Sequence, residues 1–325
     1  MNLTMQAAVI TRYGSPDSVQ VREVPKPAPT AGEVLIQVKA ATVSRTDCGE
    51  LQPRVLGRLV FGLSRPRRTI FGFDVAGVVE AVGEGVTAFK PGDRVFGMCP
   101  YRRNGAQAEY VCIAESGPIG LMPMNIPFTG AVVCEGAYYA DSGLKQFHVG
   151  PRHRILVYGA SGAIGSAAVQ LAKAYGAHVT AVVPTRHVEL ARQLGADRVI
   201  DYTTQDLSRI GETFDFVFEA VGKTSYFRYR RLLKPGGTFM ATDIGPWGQY
   251  LPLLLWSATA KTNRVVVPLP ARGSARAFVE FLKGCIEAGQ FRAVIDRTYP
   301  LAEIAEAYRY VMTGRKAGIV VIRVN

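Results

Sequence analysis

Alternating apolar and polar positions, rich in valine, dominate the first third of the chain. Bounded by glycine and proline turns such as Lys90-Pro91-Gly92-Asp93, they predict strands over Glu33 to Val43, Gly72 to Val82, Asp93 to Met98 and Ala106 to Ile113. Near residue 125 the period changes. Helical spacing runs from Phe128 to Phe147, and Arg154 to Tyr158 forms a compact apolar strand. Further strands are predicted at His178 to Val183, Arg198 to Tyr202, Phe214 to Ala220 and Thr238 to Thr242, with helices at Ala163 to Tyr175 and Val188 to Leu194. Strand–helix–strand alternation of this kind argues for a parallel, doubly wound sheet. A helix from Leu301 to Met312 and a strand from Ile319 to Val324 close the chain. The order predicts an α/β protein: a β-rich domain over 1–125, an inserted α/β domain over 126–268, and a return to the first domain over 269–325.

Composition narrows the class. The 325 residues are 48% hydrophobic and 20% charged, which excludes wholesale disorder. Five cysteines, Cys48, Cys99, Cys112, Cys134 and Cys285, form no CxxC pair, so a reducing compartment is expected and the cytoplasm is the default location. The first residues lack a basic segment followed by a long apolar one, so no signal peptide is expected, and Leu251 to Trp256 is far too short to cross a bilayer. The formal net charge of +12 raises nucleic acid, anionic membrane or phosphate-bearing ligands as partners.

The strongest chemical signal lies between a strand and a helix. Gly159-Ala160-Ser161-Gly162-Ala163-Ile164-Gly165 follows Val157-Tyr158 and precedes the helix that starts at Ala163. Such a loop turns backbone N–H groups and a helix N-terminus toward a pyrophosphate, and its last glycine allows close helix–strand packing. Gly159, Ser161, Gly162, Ala163, Ile164 and Gly165 are therefore candidate dinucleotide contacts. An NAD site usually carries an acidic residue about 20 positions further on. That position holds Pro184, followed by Thr185 and Arg186. A hydroxyl and a guanidinium in place of a carboxylate favour a 2′-phosphate, hence NADPH. Tyr202, Val221 and Ile244 fall at carboxyl ends of strands, where ligands of open parallel sheets bind, although strand-end packing explains them nearly as well.

Several stretches together resemble the medium-chain dehydrogenase/reductase superfamily. They are Gly72-Phe73-Asp74-Val75-Ala76-Gly77-Val78-Val79, Lys90-Pro91-Gly92-Asp93-Arg94-Val95, the glycine loop continuing to Val169-Gln170-Leu171-Ala172-Lys173, Gly195-Ala196-Asp197, Asp201-Tyr202 and Leu233-Lys234-Pro235-Gly236-Gly237. Within the superfamily the chain is most similar to the zinc-free quinone oxidoreductase group, near its reticulon-interacting branch. The resemblance implies a GroES-like β-barrel catalytic domain, a Rossmann domain, a homodimer, and NADPH-dependent reduction of quinones or α,β-unsaturated carbonyls in a cleft between the domains. It also matches Lys173 to a lysine that faces the adenosine phosphate in related reductases; a solvated helix lysine is the even alternative.

Zinc-dependent members carry Cys-His-Thr-Asp and Gly-His-Glu. Here the matching residues are Ser44-Arg45-Thr46-Asp47 and Gly72-Phe73-Asp74, and Cys134 or Glu135, near the third position, cannot hold a metal alone. Three protein ligands are needed, so no zinc is expected. Conjugate reduction then needs a hydrogen-bond donor and a proton where charge develops, and Ser44, Arg45 and Thr46 are the candidates. No well-placed histidine offers a general acid. Arg54, Arg58, Arg65, Arg67 and Arg68, interleaved with apolar residues, read either as a solvated covering segment or as a lid that contacts an anionic lipid surface. Trp247 to Ala260 reads as pocket lining or a dimer seam. A zinc-type alcohol dehydrogenase and a non-catalytic nucleotide-sensing or RNA-binding protein are the alternatives, but no RNA-binding signature accompanies the charge, and no nucleic-acid partner is expected.

Overall fold

Strand β3 (Glu33–Val43) is the spine of one half of the molecule. Its Val34, Ile36, Val38, Ala40 and Ala41 are fully buried, and it pairs on both edges. The computed structural model describes residues 3–53, 55–100, 103, 105–222, 225–243, 252–254, 263–267 and 275–324. Within these the chain divides into two compact units, Met1–Glu135 with Gly273–Glu287 and Arg292–Asn325, and Gly136–Arg272 with Ala288–Phe291. The first division falls after Glu135, later in the chain than the change of pattern near residue 125.

In the first unit an antiparallel hairpin joins β1 (Thr4–Ile10) to β2 (Val19–Pro25). Around β3 lie β4 (Asp74–Val82), β5 (Arg94–Met98), β6 (Tyr110–Ala114), β7 (Ile119–Leu121), β14 (Ile295–Pro300) and β15 (Ile319–Arg323). Their order is β14-β15-β3-β4-β5-β7, with β6 also on β3. Two short helices, α1 (Arg45–Leu51) and α2 (Val55–Phe61), follow β3. The predicted helix from Phe128 to Phe147 is instead two, α3 (Phe128–Ala131) and α4 (Cys134–Gln146). Val132 leaves helical geometry at ψ 64° and Val133 turns back to Ala131 at 3.0 Å; both are buried β-branched residues, whose branching slightly lowers helix propensity. The barrel core joins Ile36, Val38, Val75, Val95 and Val320 to Tyr308 and Val311 of the late helix Ile304–Met312.

The second unit carries β8 (Arg154–Tyr158), β9 (His178–Val183), β10 (Arg198–Asp201), β11 (Phe214–Glu219), β12 (Leu233–Ala241) and β13 (Arg264–Val266). All are parallel, in the order β10-β9-β8-β11-β12-β13. The order reverses beside β8, the switch point of a doubly wound sheet. Helix α5 (Ala163–Ala174) buries Gly165 to Ala172 in one run of mostly small residues. Helix α6 (Val188–Gln193) follows β9, and α7 (Tyr226–Tyr229) follows β11. Beyond the predicted elements, α8 (Ala275–Glu287) buries Phe278, Val279, Leu282, Cys285 and Ile286 on one stripe, and α9 is Ile304–Met312. Strand β14 has no buried residue and so no apolar alternation to read.

Candidate active site and cofactor cradle

Backbone hydrogen bonds gather the carboxyl ends of four strands of the parallel sheet. Gly159 N donates to Val182 O at 3.1 Å, Tyr202 N to Val183 O at 3.1 Å, and Ala220 N to Tyr158 O at 3.1 Å. The glycine loop therefore lies beside the ends of β9 and β11. Gly159 has φ +76°, and a Cβ there would stand 2.2 Å from Val221 Cγ2; a Cβ on Gly165 would stand 2.1 Å from Gly159 O. Gly162, the N-cap of α5, differs. A Cβ there would meet only Gly159 O at 3.5 Å, and no side chain caps the helix. The first-turn amides of α5, which follow Gly162, have no intrahelical acceptor. This cradle fits a pyrophosphate.

Ser161 of the loop is buried, and its hydroxyl lies 2.9 Å from Nδ1 of His187 beyond β9. Thr185 is engaged as well: its hydroxyl donates to Asp201 at 2.6 Å and lies 2.7 Å from Thr203. These hydroxyls hold the Asp201 carboxyl below the usual range. Arg186, between them, is exposed. Tyr202 and Val221 are 43% and 41% exposed, and the Tyr158 ring lies 6.0 Å from that of Tyr202. Glu219 fixes the turn after β11 by accepting from Val221 N at 2.9 Å and Gly222 N at 2.9 Å. Ile244 and most of Trp247 to Ala260 lie outside the described residues.

Lys173 is not with them. Its ammonium donates to both carboxylate oxygens of Asp197, at 2.8 and 2.9 Å, and Asp197 also accepts from Val179 N at 2.7 Å. Asp197 and Val179 lie at the starts of β10 and β9, so the last turn of α5 is pinned at the sheet end opposite the glycine loop. The adenosine-phosphate role drawn from the resemblance gives way to a structural one.

The second cluster is in the barrel unit. Ser44 caps α1, accepting from Thr46 N and Asp47 N at 3.1 Å each, while Asp47 closes the box on Ser44 N at 2.8 Å. Asp47 also accepts from Gly72 N at 3.0 Å, which ties α1 to the residues before β4. Asp74 accepts from Thr42 Oγ1 at 3.1 Å and from Glu135 N at 2.8 Å. The Thr46 and Ser44 side chains favour the charged form of the Glu135 carboxyl, but burial outweighs them. Asp47, Asp74 and Glu135 are all buried. Burial first, then mutual repulsion, pushes Asp74 up to about 7 and Glu135 up to about 8. Burial also lowers the half-buried Lys316 ammonium, which faces Glu135, to about 8. Arg45 is exposed and Thr46 half-buried.

This donor set does not suit zinc. Ser44 spends its oxygen on helix amides, Phe73 has no donor, and burial keeps the Cys134 thiol protonated. Among the described residues no three or more His, Cys, Asp or Glu are arranged to hold a metal. Arg68 leaves the basic segment altogether. It is buried, bonded to Glu50 at 2.8 and 3.0 Å, and its guanidinium stands 4.5 Å from the Phe73 ring. Arg58, Arg65 and Arg67 are exposed, as are Leu59 and Leu63; Arg54 lies outside the described residues. Sequence spacing missed the meeting of Glu135 with Asp74, because that contact is made by tertiary folding.

A barrel unit with a capped, hydroxyl-bearing turn and a parallel-sheet unit with a phosphate cradle define a nicotinamide-dinucleotide-dependent oxidoreductase. Family comparison matches residues 30–152 to the alcohol dehydrogenase GroES-like domain and residues 194–322 to the zinc-binding dehydrogenase family. The chain is 31% identical to the chloroplastic quinone-oxidoreductase homolog of Spinacia oleracea over 98% of each chain. It is also 31% identical to the chloroplastic NADPH-dependent alkenal/one oxidoreductase of Arabidopsis thaliana, over 98% of this chain and 79% of that one. The solved quinone oxidoreductase from Coxiella burnetii shares the fold with a TM-score of 0.85, at 23% identity, over 99% of this chain and 100% of that one. The protein belongs to the medium-chain dehydrogenase/reductase superfamily, in its zinc-free quinone oxidoreductase group.

Proposed function

We propose that the protein is an NADPH-dependent, zinc-independent reductase of quinones or α,β-unsaturated carbonyls, working as a cytoplasmic homodimer. When bound, NADPH supplies the hydride. The observation that carries the reading is the Ser44–Thr46–Glu135 cluster, which offers hydroxyls and a protonated carboxyl where an alcohol dehydrogenase needs metal ligands. Such groups suit a reaction whose oxyanion needs a donor and a proton more than a Lewis acid.

On the cofactor side, Ala163, Ile164 and Gly165 present their amides to the pyrophosphate across the open face of Gly162. Gly159 and Val221 shape the adjoining wall, and Ser161 is held by His187. Arg186 reaches the 2′-phosphate from beside Thr185, whose hydroxyl is already committed to Asp201, and Tyr202 offers an exposed ring at the next strand end. The names of the relatives, a quinone-oxidoreductase homolog and an NADPH-dependent alkenal/one oxidoreductase, agree with this chemistry.

The test is oxidation of NADPH by purified protein across quinones, enones and, in the reverse direction with NADP+, simple alcohols. Turnover with quinones or enones at metal-free purity is expected. Activity confined to alcohols, with stoichiometric zinc bound, would contradict the proposal.

A further inference from the structure

Between Glu50 and Asp74 the chain carries five arginines and neither an acidic residue nor a lysine. Arg68 is spent inside, on Glu50, and anchors the end of this segment in the barrel unit. Before it the chain closes a small loop on α2. Gly62 N donates to Arg58 O at 2.9 Å and Arg67 N to Phe61 O at 2.8 Å, so the residues between them leave the last turn of the helix and return to it. Tyr13 Oη donates to Gly62 O at 2.8 Å, and the Arg67 guanidinium donates to Leu59 O at 3.4 Å. Gly62, at φ +128°, makes the bend sharp: a Cβ there would stand 2.1 Å from Arg65 O. Leu63, Ser64 and Arg65 form the exposed tip.

These ties bring Arg58, Leu59, Leu63, Arg65 and Arg67 into one neighbourhood. Leu59 and Leu63 are 62% and 69% exposed, and all three arginines are exposed as well. Arg58 lies over the Tyr13 ring, 5.6 Å from its centroid, and among the described residues none of the three arginines forms an ion pair. A single exposed leucine needs no explanation. Two of them on an anchored loop, set among guanidinium groups with no carboxylate in the segment, match a surface that is anionic outside and apolar within. Nucleic acid fits less well. A phosphodiester backbone gains nothing from leucine, and stacking on bases needs an exposed aromatic ring. In this segment Phe61 is half-buried, and Phe71 and Phe73 are buried.

We propose that the loop after α2 docks the protein on an anionic bilayer. Leu59 and Leu63 enter the boundary between headgroups and acyl chains, while Arg58, Arg65 and Arg67 pair with lipid phosphates and carboxylates. The contact is peripheral: two leucines and three arginines hold the protein reversibly, and salt releases it. Because the loop is tied to the barrel unit at Tyr13, Phe61 and Glu50, it meets the surface already formed and pays little ordering entropy. Docking stands apart from the reductase reading and needs no turnover.

The experiment is flotation of the full chain with vesicles of phosphatidylcholine alone and with about 30% phosphatidylserine, at low salt and at about 0.5 M NaCl. Wild type is expected to float with the anionic vesicles at low salt only. An arginine near such a surface is worth about fivefold in partitioning, so the triple variant Arg58→Ala, Arg65→Ala, Arg67→Ala should lose roughly 100-fold. The double variant Leu59→Ser, Leu63→Ser keeps every charge and should still lose about tenfold or more. Both variants should keep the wild-type urea midpoint, since the substituted side chains are exposed. A single-stranded RNA titration runs alongside. No flotation of wild type, or flotation of the arginine variant equal to wild type, would overturn the proposal. So would wild-type flotation of the leucine variant, which marks charge attraction without insertion, or RNA outcompeting the vesicles for wild type.

Discussion

Arg68 and Arg186 carry the same guanidinium into opposite surroundings. Arg68 is 8% exposed and doubly bonded to a 3% exposed Glu50, whereas Arg186 is exposed beside the cofactor cradle. Removing Arg68 would strand a buried carboxylate, and breaking such a pair costs about 3–5 kcal/mol. Arg68→Ala is thus expected to lose that much in urea unfolding, while Arg58→Ala, at an exposed site, changes stability by about 0.5 kcal/mol or less. Equal stability of the two variants would contradict the structural role of Arg68. The sequence shows five arginines close together and no hint that one of them turns inward, because Glu50 is eighteen positions away and meets it only after folding. The same holds for Lys173 with Asp197, and for Glu135 with Asp74. Residue types were legible; which charges are already spoken for was not.

At the scale of elements, the glycine loop was the most legible feature, because its shape depends on local backbone approach. Gly159 needs its positive φ, and Gly165 needs the absence of a Cβ that would otherwise sit 2.1 Å from a carbonyl oxygen. Gly165→Ala is expected to force α5 away from the loop and to weaken NADPH binding at least tenfold in a fluorescence titration, in line with misplacing phosphate contacts by about 1 Å. Gly162→Ala, with only ordinary contact at 3.5 Å, should weaken it less. Reversed order of effect would argue against the cradle as described. Where local pattern misled, tertiary packing overrode it. Val132 and Val133 break one predicted helix into α3 and α4, and that break brings Glu135 to the first turn of α4, against Asp74. The predicted strand from Ala106 starts only at Tyr110, since Ala106 N and Gln107 N bond instead to Gly72 O and Phe71 O.

For the whole molecule, the order of segments was enough to anticipate a β-rich unit interrupted by a parallel sheet, because strand–helix alternation constrains topology strongly. Gly273–Glu287 and Arg292–Asn325 belong to the first unit, and there α8 and the exposed edge strand β14 were not among the predicted elements. The net charge of +12 resolves into unlike parts. Some cations are tied in pairs, as in Lys173–Asp197, Arg154–Glu212 and Lys234–Asp215, while Arg186 is exposed. The central claim, that this is an NADPH-dependent reductase whose cofactor choice is made by Arg186, is tested most directly by kcat/KM for NADPH against NADH with one enone, in wild type and Arg186→Ala. The account predicts a preference for NADPH of about tenfold or more that collapses toward parity in the variant, chiefly through KM for NADPH. A wild-type preference for NADH, or a preference for NADPH that survives Arg186→Ala, would contradict it.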